Sequence, residues 1–406
     1  MISYLLFISV IGLFAFIESS GFNDGGINKY KVYLKYVAFT MLLIFVGLRY
    51  KVGADWLQYY TYYGNLETLG TVLFNAKNAP YFYEHPWEPA FKLLCMLAKS
   101  LSMPFEGVVF LITAFNLYSL NKFLKQHLKS EICVFLLLFL SLNMLREFDI
   151  LRQSIAFYVL LFSYKYINKS FFKFLLVCVA ACLFHTSAII FVLVYPLFKL
   201  KVRRGFLTAT LGLFVLSLIL KLRILSMLVD LADKLLPVSS ATFLLHQIKL
   251  YLAFYPLQSN INLVTLLSLF FLAILIIYYK KVSFFDQKFV VSFVIFIYIS
   301  ILLSEVGEVQ SRFGYFFSTG LVYCAAGFVY LFKRYIRMSY ILFLLVYANI
   351  KIVLPFRIEA TLLTYTPYRN YLFFMNQNEA DERQILLRHG KSQEKANDLF
   401  NENPTN

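Results

Sequence analysis

The stretch INLVTLLSLFFLAILIIYYKK, residues 261–281, decides the fold class. It carries no charge until Lys280, and its apolar run matches the roughly 20 residues that a helix needs to cross the hydrocarbon core. The lysine pair at its end, Lys280 and Lys281, marks a cytoplasmic boundary. Runs of this kind recur near 2–17, 33–48, 103–121, 131–145, 153–167, 171–184, 186–198, 206–222, 288–304, 313–332 and 338–354. Several are short, and 171–198 reads as a kinked hairpin. The set predicts an all-α polytopic integral membrane protein with about 12 transmembrane helices. Composition agrees: the 406 residues are 60% hydrophobic and 19% aromatic, with a mean hydropathy of +0.69. A membrane β-barrel would show alternating segments of about ten residues instead.

The formal net charge is +16. It does not indicate nucleic acid, because most lysines and arginines cluster in short connections between apolar runs. These are Lys122/Lys125/Lys129, Lys165/Lys169/Lys173, Lys199/Lys201/Arg203/Arg204, Lys280/Lys281/Lys288 and Lys333/Arg334/Arg337. They fall at alternate connections, which places them in the cytoplasm and the others outside. The expected outer segments include two long loops, 49–88 and 223–260, and the turn at His185. The stretch Ile224–Asp230 is amphipathic and suits an interfacial position. The first run lacks a basic leader and a small-residue cleavage site, so it reads as a span, not a signal peptide. Domain organisation is read as one membrane domain, 1–375, followed by a polar, disordered tail at 376–406. Cys95, Cys133, Cys178, Cys182 and Cys324 sit in apolar segments and read as small buried hydrophobes. No Cys/His grouping has metal-ligand spacing, and no P-loop, zincin or serine-elbow motif occurs. No metal and no cofactor is expected.

Arginines at the outer ends of spans are the chemical signal. A cation near hydrocarbon is costly unless paired, and guanidinium fits phosphate well. Arg49 closes a span in Gly47-Leu48-Arg49-Tyr50, with Asp55 six residues on. This pair either grips an anion or pins the loop. In Leu145–Gln153, Arg146, Asp149 and Arg152 have helical i,i+3 spacing. One carboxylate could hold both guanidiniums, leaving net positive charge for a pyrophosphate or forming a structural triad. His185 lies at an outer turn and serves as a proton acceptor or as a hydrogen-bonded structural residue. Glu308 and Arg312 stand at i,i+4. Glu84-His85-Pro86-Trp87-Glu88-Pro89 opens a helix, and Pro367-Tyr368-Arg369-Asn370-Tyr371 follows the last span.

Taken in order, these motifs resemble the EpsG-type branch of the Wzy O-antigen and exopolysaccharide polymerases. The resemblance covers roughly residues 40 to 372. Its matches include Arg49 with Val52-Gly53 and Asp55, Trp87-Glu88-Pro89-Ala90-Phe91, Leu151-Arg152-Gln153-Ser154, Leu183-Phe184-His185-Thr186-Ser187-Ala188, Arg312 with Tyr315-Phe316, and Tyr368-Arg369-Asn370. Ala54 departs from the pattern, which favours threonine or a similar small polar residue there.

The resemblance implies a GT-C-like glycosyltransferase of the bacterial inner membrane with its active site on the periplasmic face. It would transfer a growing glycan from undecaprenyl pyrophosphate to an incoming lipid-linked repeat unit. A flippase and a chain-length regulator are the expected protein partners, and the lipid bilayer is the surrounding medium. In that scheme Arg152 and Arg312, helped by Arg49, Arg146 and Arg369, bind the pyrophosphate. His185 is the first choice as base, ahead of Asp55 and Glu88. Tyr59, Tyr60, Trp87, Tyr315 and Tyr368 are the rings expected to meet sugar. The alternative is a lipid-linked oligosaccharide flippase. That would call for repeat-related halves and a cation-lined cavity reachable from both faces, whereas these arginines favour one face and no repeat is evident. A membrane acyltransferase would want its histidine on the cytoplasmic side.

Overall fold

A backbone in hydrocarbon must satisfy its own polar groups, and this chain does so as helix. The computed structural model describes residues 1–20, 27–128, 131–235, 262–281, 285–374 and 379–401. Among them the one ladder contact is an isolated antiparallel bridge between Arg49 and Asn370. Five helices are long and apolar enough to cross a membrane: Ile2–Ser20, Tyr30–Gly47, Phe105–His127, Gly307–Leu331 and Arg334–Arg357. Arg204–Ile219 and Ile224–Leu231 make a sixth if counted together, although they are bent by 89°. Other expected spans are shorter apolar helices: Phe171–Cys182, Leu263–Ile277 and Gln287–Leu302. Ile132–Asp149 ends on Arg146, Glu147 and Asp149. The run around His185 breaks after Cys182 into short turns, Thr186–Ile189, Ile190–Leu193 and Tyr195–Lys199.

The described residues form two compact units. The first comprises Met1–Leu193 and Arg334–Asp398, and the second is built on Val194–Lys333. In the first, Ile2–Ser20 packs against Ile132–Asp149 and Arg334–Val353, while Phe105–His127 packs against Leu151–Leu161. The expected outer loop at 49–88 is folded, because its aromatic residues have an apolar surface to cover. It forms the helices Trp56–Asn65, Leu69–Phe74 and Pro80–Glu84. Tyr59, Tyr62, Tyr63, Trp87 and Phe91 join Leu151 and Ile155 in one buried cluster. Each large apolar side chain buried this way contributes about 1.5–3 kcal/mol.

In the second unit, Gln287–Leu302 and Gly307–Phe328 pair as a hairpin. Their backbones touch at Gly320, where a Cβ would lie 2.4 Å from the Phe293 nitrogen, so only glycine fits. Between them Glu305 accepts hydrogen bonds from the Ser226 N–H at 3.1 Å and from the Ser226 hydroxyl. This carboxylate anchors the amphipathic helix Ile224–Leu235 at its first turn. The rest of the expected outer loop 223–260, from residue 236 on, lies outside the described residues.

The tail differs from expectation. Glu379–Asn401 is a helix rather than a disordered segment. Its sequence is polar overall, but Glu382, Ile385, His389 and Ser392 share one stripe at helical spacing. That stripe docks on the first unit. Glu382 pairs with Lys51, the His389 ring lies 5.5 Å from Trp56, and the Ser392 hydroxyl donates to the Ala360 carbonyl at 2.8 Å. Ile385, 4% exposed, fills the space beside Tyr50 and Trp56. Residues 376–378 and 402–406 of the expected tail lie outside the described residues.

Ile385→Ala is expected to loosen this helix, since a large-to-small change at a packed site costs about 2–5 kcal/mol. Amide hydrogen exchange in 379–401 should rise about tenfold or more while the Ile2–Ser20 helix keeps its protection. Unchanged exchange in 379–401 would show that Ile385 does not hold the helix.

Candidate functional site

Pro89 fixes the first turn of the helix Pro89–Ser100, and Glu88 stands before it with an extended backbone. The Glu88 side chain does not cap its own helix. It turns instead towards a guanidinium and an imidazole from distant parts of the chain. Its Oε2 accepts from an Arg152 terminal nitrogen at 2.5 Å. Its Oε1 lies 2.9 Å from His185 Nδ1 and accepts the Thr186 N–H at 3.2 Å. The Ala90 N–H donates to the Leu183 carbonyl at 3.0 Å, which ties the helix start to the broken turn carrying His185. Burial alone would raise the Glu88 pKa. The hydrogen bond from His185, the Arg152 charge and the Thr186 N–H outweigh it and hold the carboxyl at about 2.

An ionised carboxylate accepts only, so Nδ1 of His185 carries the hydrogen towards Glu88. Nε2 is then the acceptor nitrogen. Arg152, in the first turn of Leu151–Leu161, lies with its guanidinium carbon 4.7 Å from the Trp87 ring centre. Trp87 is packed by Tyr62 at 4.2 Å and Tyr59 at 5.1 Å. The Arg152 Nε is buried without a hydrogen-bond partner. A buried guanidinium N–H left unmet is costly, and water, an ion or a ligand can supply the missing acceptor. Together these form a cation with an unmet donor beside a histidine oriented by a carboxylate.

A second cluster lies around Arg49. The span before it ends in a π turn, Leu43–Gly47, and the Arg49 guanidinium folds back onto main-chain carbonyls. It donates to Val46 at 2.7 Å, Phe148 at 3.3 Å and Glu147 at 3.4 Å, and lies over the Phe148 ring. Arg49 is 5% exposed. The closing motif packs beside it. The Tyr50 N–H donates to the Arg369 carbonyl at 3.0 Å and the Tyr371 N–H to the Leu48 carbonyl at 2.6 Å. The Asn370 side chain reaches the Ile44 carbonyl, and Tyr368 stacks on Phe45 at 4.3 Å with its hydroxyl on the Phe45 carbonyl.

Asp149 does not hold Arg152, as its spacing suggested; Arg152 pairs with Glu88. One helix ends at Asp149 and another starts at Leu151, so the i,i+3 relation to Arg152 is broken. Its two oxygens accept from the Ala54 N–H at 2.6 Å and from the Tyr365 hydroxyl. Gly53 is required beneath this contact. Its φ is +123°, and a Cβ there would meet Asp149 Oδ1 at 2.8 Å. At position 54 the loop contact runs through the backbone N–H, which Ala54 supplies as well as threonine would. The carboxylates that act on Arg49 are Asp149 and Glu147. Asp55 is partly buried, within electrostatic reach of Tyr59, Asp149 and Tyr365. Arg146 is half-buried and faces the Lys351 charge.

In the second unit, Arg312 is exposed, with its Nε 2.7 Å from Glu308, and Tyr315 is buried against Phe316. Of the rings expected to meet sugar, Tyr60 is exposed, Tyr368 is half-buried, and Tyr59, Trp87 and Tyr315 are buried. The sequence reading missed the bridging role of Glu88 and the Asp149–Tyr365 pair. Pro89 was the signal for a fixed Glu88, whereas nothing in the sequence singles out Tyr365. Among the described residues, no group of three or more His, Cys, Asp or Glu side chains could hold a metal ion.

In comparison with known proteins, the model of the EpsG family matches residues 32–370. No curated protein and no solved structure matches the chain.

Because the Glu88 carboxyl sits at about 2 in the folded protein against an ordinary 4.5, it contributes stability above pH 4.5 that is lost as the pH falls towards 2. The difference in thermal midpoint between wild type and Glu88→Gln should be constant above about pH 5 and shrink below about pH 4.5. A difference that grows on acidification would contradict the ion network.

Proposed function

The chain belongs to the EpsG family, and on that premise we propose that it is a membrane polysaccharide polymerase. In this reading it is a glycosyltransferase at the periplasmic face of the bacterial inner membrane. It moves a growing glycan from undecaprenyl pyrophosphate to an incoming lipid-linked repeat unit. The observation that carries the reading is the Glu88 carboxylate, which joins His185 to Arg152. It supports the reading by bringing a candidate base and a candidate phosphate ligand into one network. The finer architecture, about twelve crossings arranged as in GT-C enzymes, belongs to the same proposal.

The reaction is a single displacement at the donor anomeric carbon. The acceptor hydroxyl oxygen forms the new bond to that carbon, and the bond to the pyrophosphate oxygen breaks. The leaving group keeps the bonding electrons. His185 Nε2 takes the hydroxyl proton, and Glu88 stabilises the imidazolium that results. Arg152 meets the charge developing on the pyrophosphate, with its unmet Nε–H as one donor. Glu88, held ionised, is an orienting group and a poor base. Asp55 is the second choice as base. Arg146 and Arg369 are further cations for the substrate. Arg49 acts as the pin of the loop, since its guanidinium is committed to carbonyls. Arg312 stays in the scheme as a phosphate ligand on the strength of its sequence motif.

Membranes carrying the wild-type protein should join supplied lipid-linked repeat units into polymer, also in excess EDTA. Arg152→Ala should abolish polymer at normal protein level. Arg152→Lys should restore little, because an ammonium lacks the planar fork that fits phosphate. His185→Ala should cost about 10²–10⁴ in turnover. Normal chain length in Arg152→Ala would remove the proposed phosphate role. Movement of lipid-linked units without bond formation would show a transporter instead.

A further inference from the structure

One end of the second unit carries positive charge that its own acids do not balance. Two stretches far apart in sequence, 195–206 and 278–288, meet there at the buried Val202. The Val202 N–H donates to the Gln287 side-chain oxygen at 3.3 Å, and the Tyr279 hydroxyl donates to the Val202 carbonyl at 3.0 Å. Basic residues flank each member of this clamp. Lys201 and Arg203 adjoin Val202, Lys280 and Lys281 follow Tyr279, and Lys288 follows Gln287. Lys199, Lys201, Arg203, Arg204, Lys280 and Lys281 are exposed. The one acid in either stretch, Asp286, pairs with Lys288 at 2.7 Å. The other acids of residues 194–333 are Asp230, Asp233, Glu305 and Glu308, and these lie beyond the opposite ends of the same helices.

The surroundings identify the anion. The cations stand at the starts of Arg204–Ile219 and Gln287–Leu302 and just past the end of Leu263–Ile277, all of them apolar helices. Leu200, Phe206 and Ile277 are exposed close to them in the chain. The Lys199 ammonium lies 5.1 Å from the Tyr195 ring centre and that of Lys281 5.9 Å from the Tyr278 ring centre. Lysine beside tyrosine, with apolar side chains bared next to it, suits the head-group level of a bilayer. There the apolar groups meet acyl chains and the cations meet phosphate. A soluble acidic partner would satisfy the cations and leave the apolar side chains among them unused. The alternation of basic loops assigns this end to the cytoplasm.

We propose that this end of the second unit is a binding site for the head group of an anionic phospholipid of the cytoplasmic leaflet. The lipid phosphate is the group that the gathered cations recognise. The site does not depend on the polymerase reading.

Spin-label electron paramagnetic resonance on the purified full chain in phosphatidylcholine bilayers tests it. Nitroxide-labelled phosphatidylglycerol is compared with labelled phosphatidylcholine for the share of label held at the protein. One cation at the surface is worth about fivefold in local lipid affinity, which averaged over the whole lipid belt should appear as a preference of about twofold or more. The wild-type preference should fall towards none at about 1 M NaCl, where charges are screened within about 3 Å. The triple variant Lys201→Gln, Arg203→Gln, Lys281→Gln should lose most of it. The triple variant Lys122→Gln, Lys125→Gln, Lys169→Gln removes the same charge from basic loops of the first unit and should keep it. Inorganic phosphate should displace no more label than chloride of equal ionic strength. A wild type without preference, a preference indifferent to salt, equal loss in the two triple variants, or displacement by free phosphate would overturn the proposal.

Discussion

A single carboxylate held between a guanidinium and an imidazole organises one end of the first unit. Glu88 reaches Arg152 across 64 positions and His185 across 97. Each partner comes from a different helix start or turn, so the contact fixes three segments at once. Removing one member of such a buried network leaves the others unpaired, which usually costs more than the network contributes net. The arrangement also leaves a residual demand. Arg152 still has a buried N–H to satisfy, and with Nδ1 turned to Glu88 the neutral His185 ring keeps Nε2 as an acceptor.

The Arg49 cluster has a different character. Here the guanidinium is consumed by carbonyls at the ends of two helices, which are the negative ends of their dipoles. That contact joins a residue near the start of the chain to the closing motif through the bridge between Arg49 and Asn370. Asp149, Tyr365 and the Gly53 turn reinforce the same knot. The C-terminal helix then lies on its outer side through Lys51 and Trp56. Sequence motifs that look equally suited to phosphate thus divide. Arg152 is partly unmet, while Arg49 is spent on scaffolding.

Much of this was legible in the sequence. Hydropathy revealed the all-helical membrane character, because apolar length needs no tertiary knowledge. The motif residues Glu88, Arg152 and His185 were each singled out, yet their union was not, since nothing local pairs positions so far apart. The i,i+3 reading of Asp149 and Arg152 failed for a local reason: it assumed an unbroken helix across Ile150. The C-terminal helix was missed because one stripe of Ile385, His389 and Ser392 is faint within a polar segment. Short helices such as Phe171–Cys182 show why apolar runs and full crossings are not the same quantity.

The claim on which most depends is that Glu88 acts through His185. A double-mutant cycle on polymer formation by the purified protein measures this coupling directly. Turnover would be compared in wild type, Glu88→Gln, His185→Ala and the double variant, with lipid-linked repeat units as substrate. If the carboxylate orients the imidazole, the double variant should be about as slow as His185→Ala alone, because residues that act as a unit are strongly non-additive. Losses that multiply, so that Glu88→Gln slows the His185→Ala protein by its full factor again, would show two independent residues and contradict the shared site.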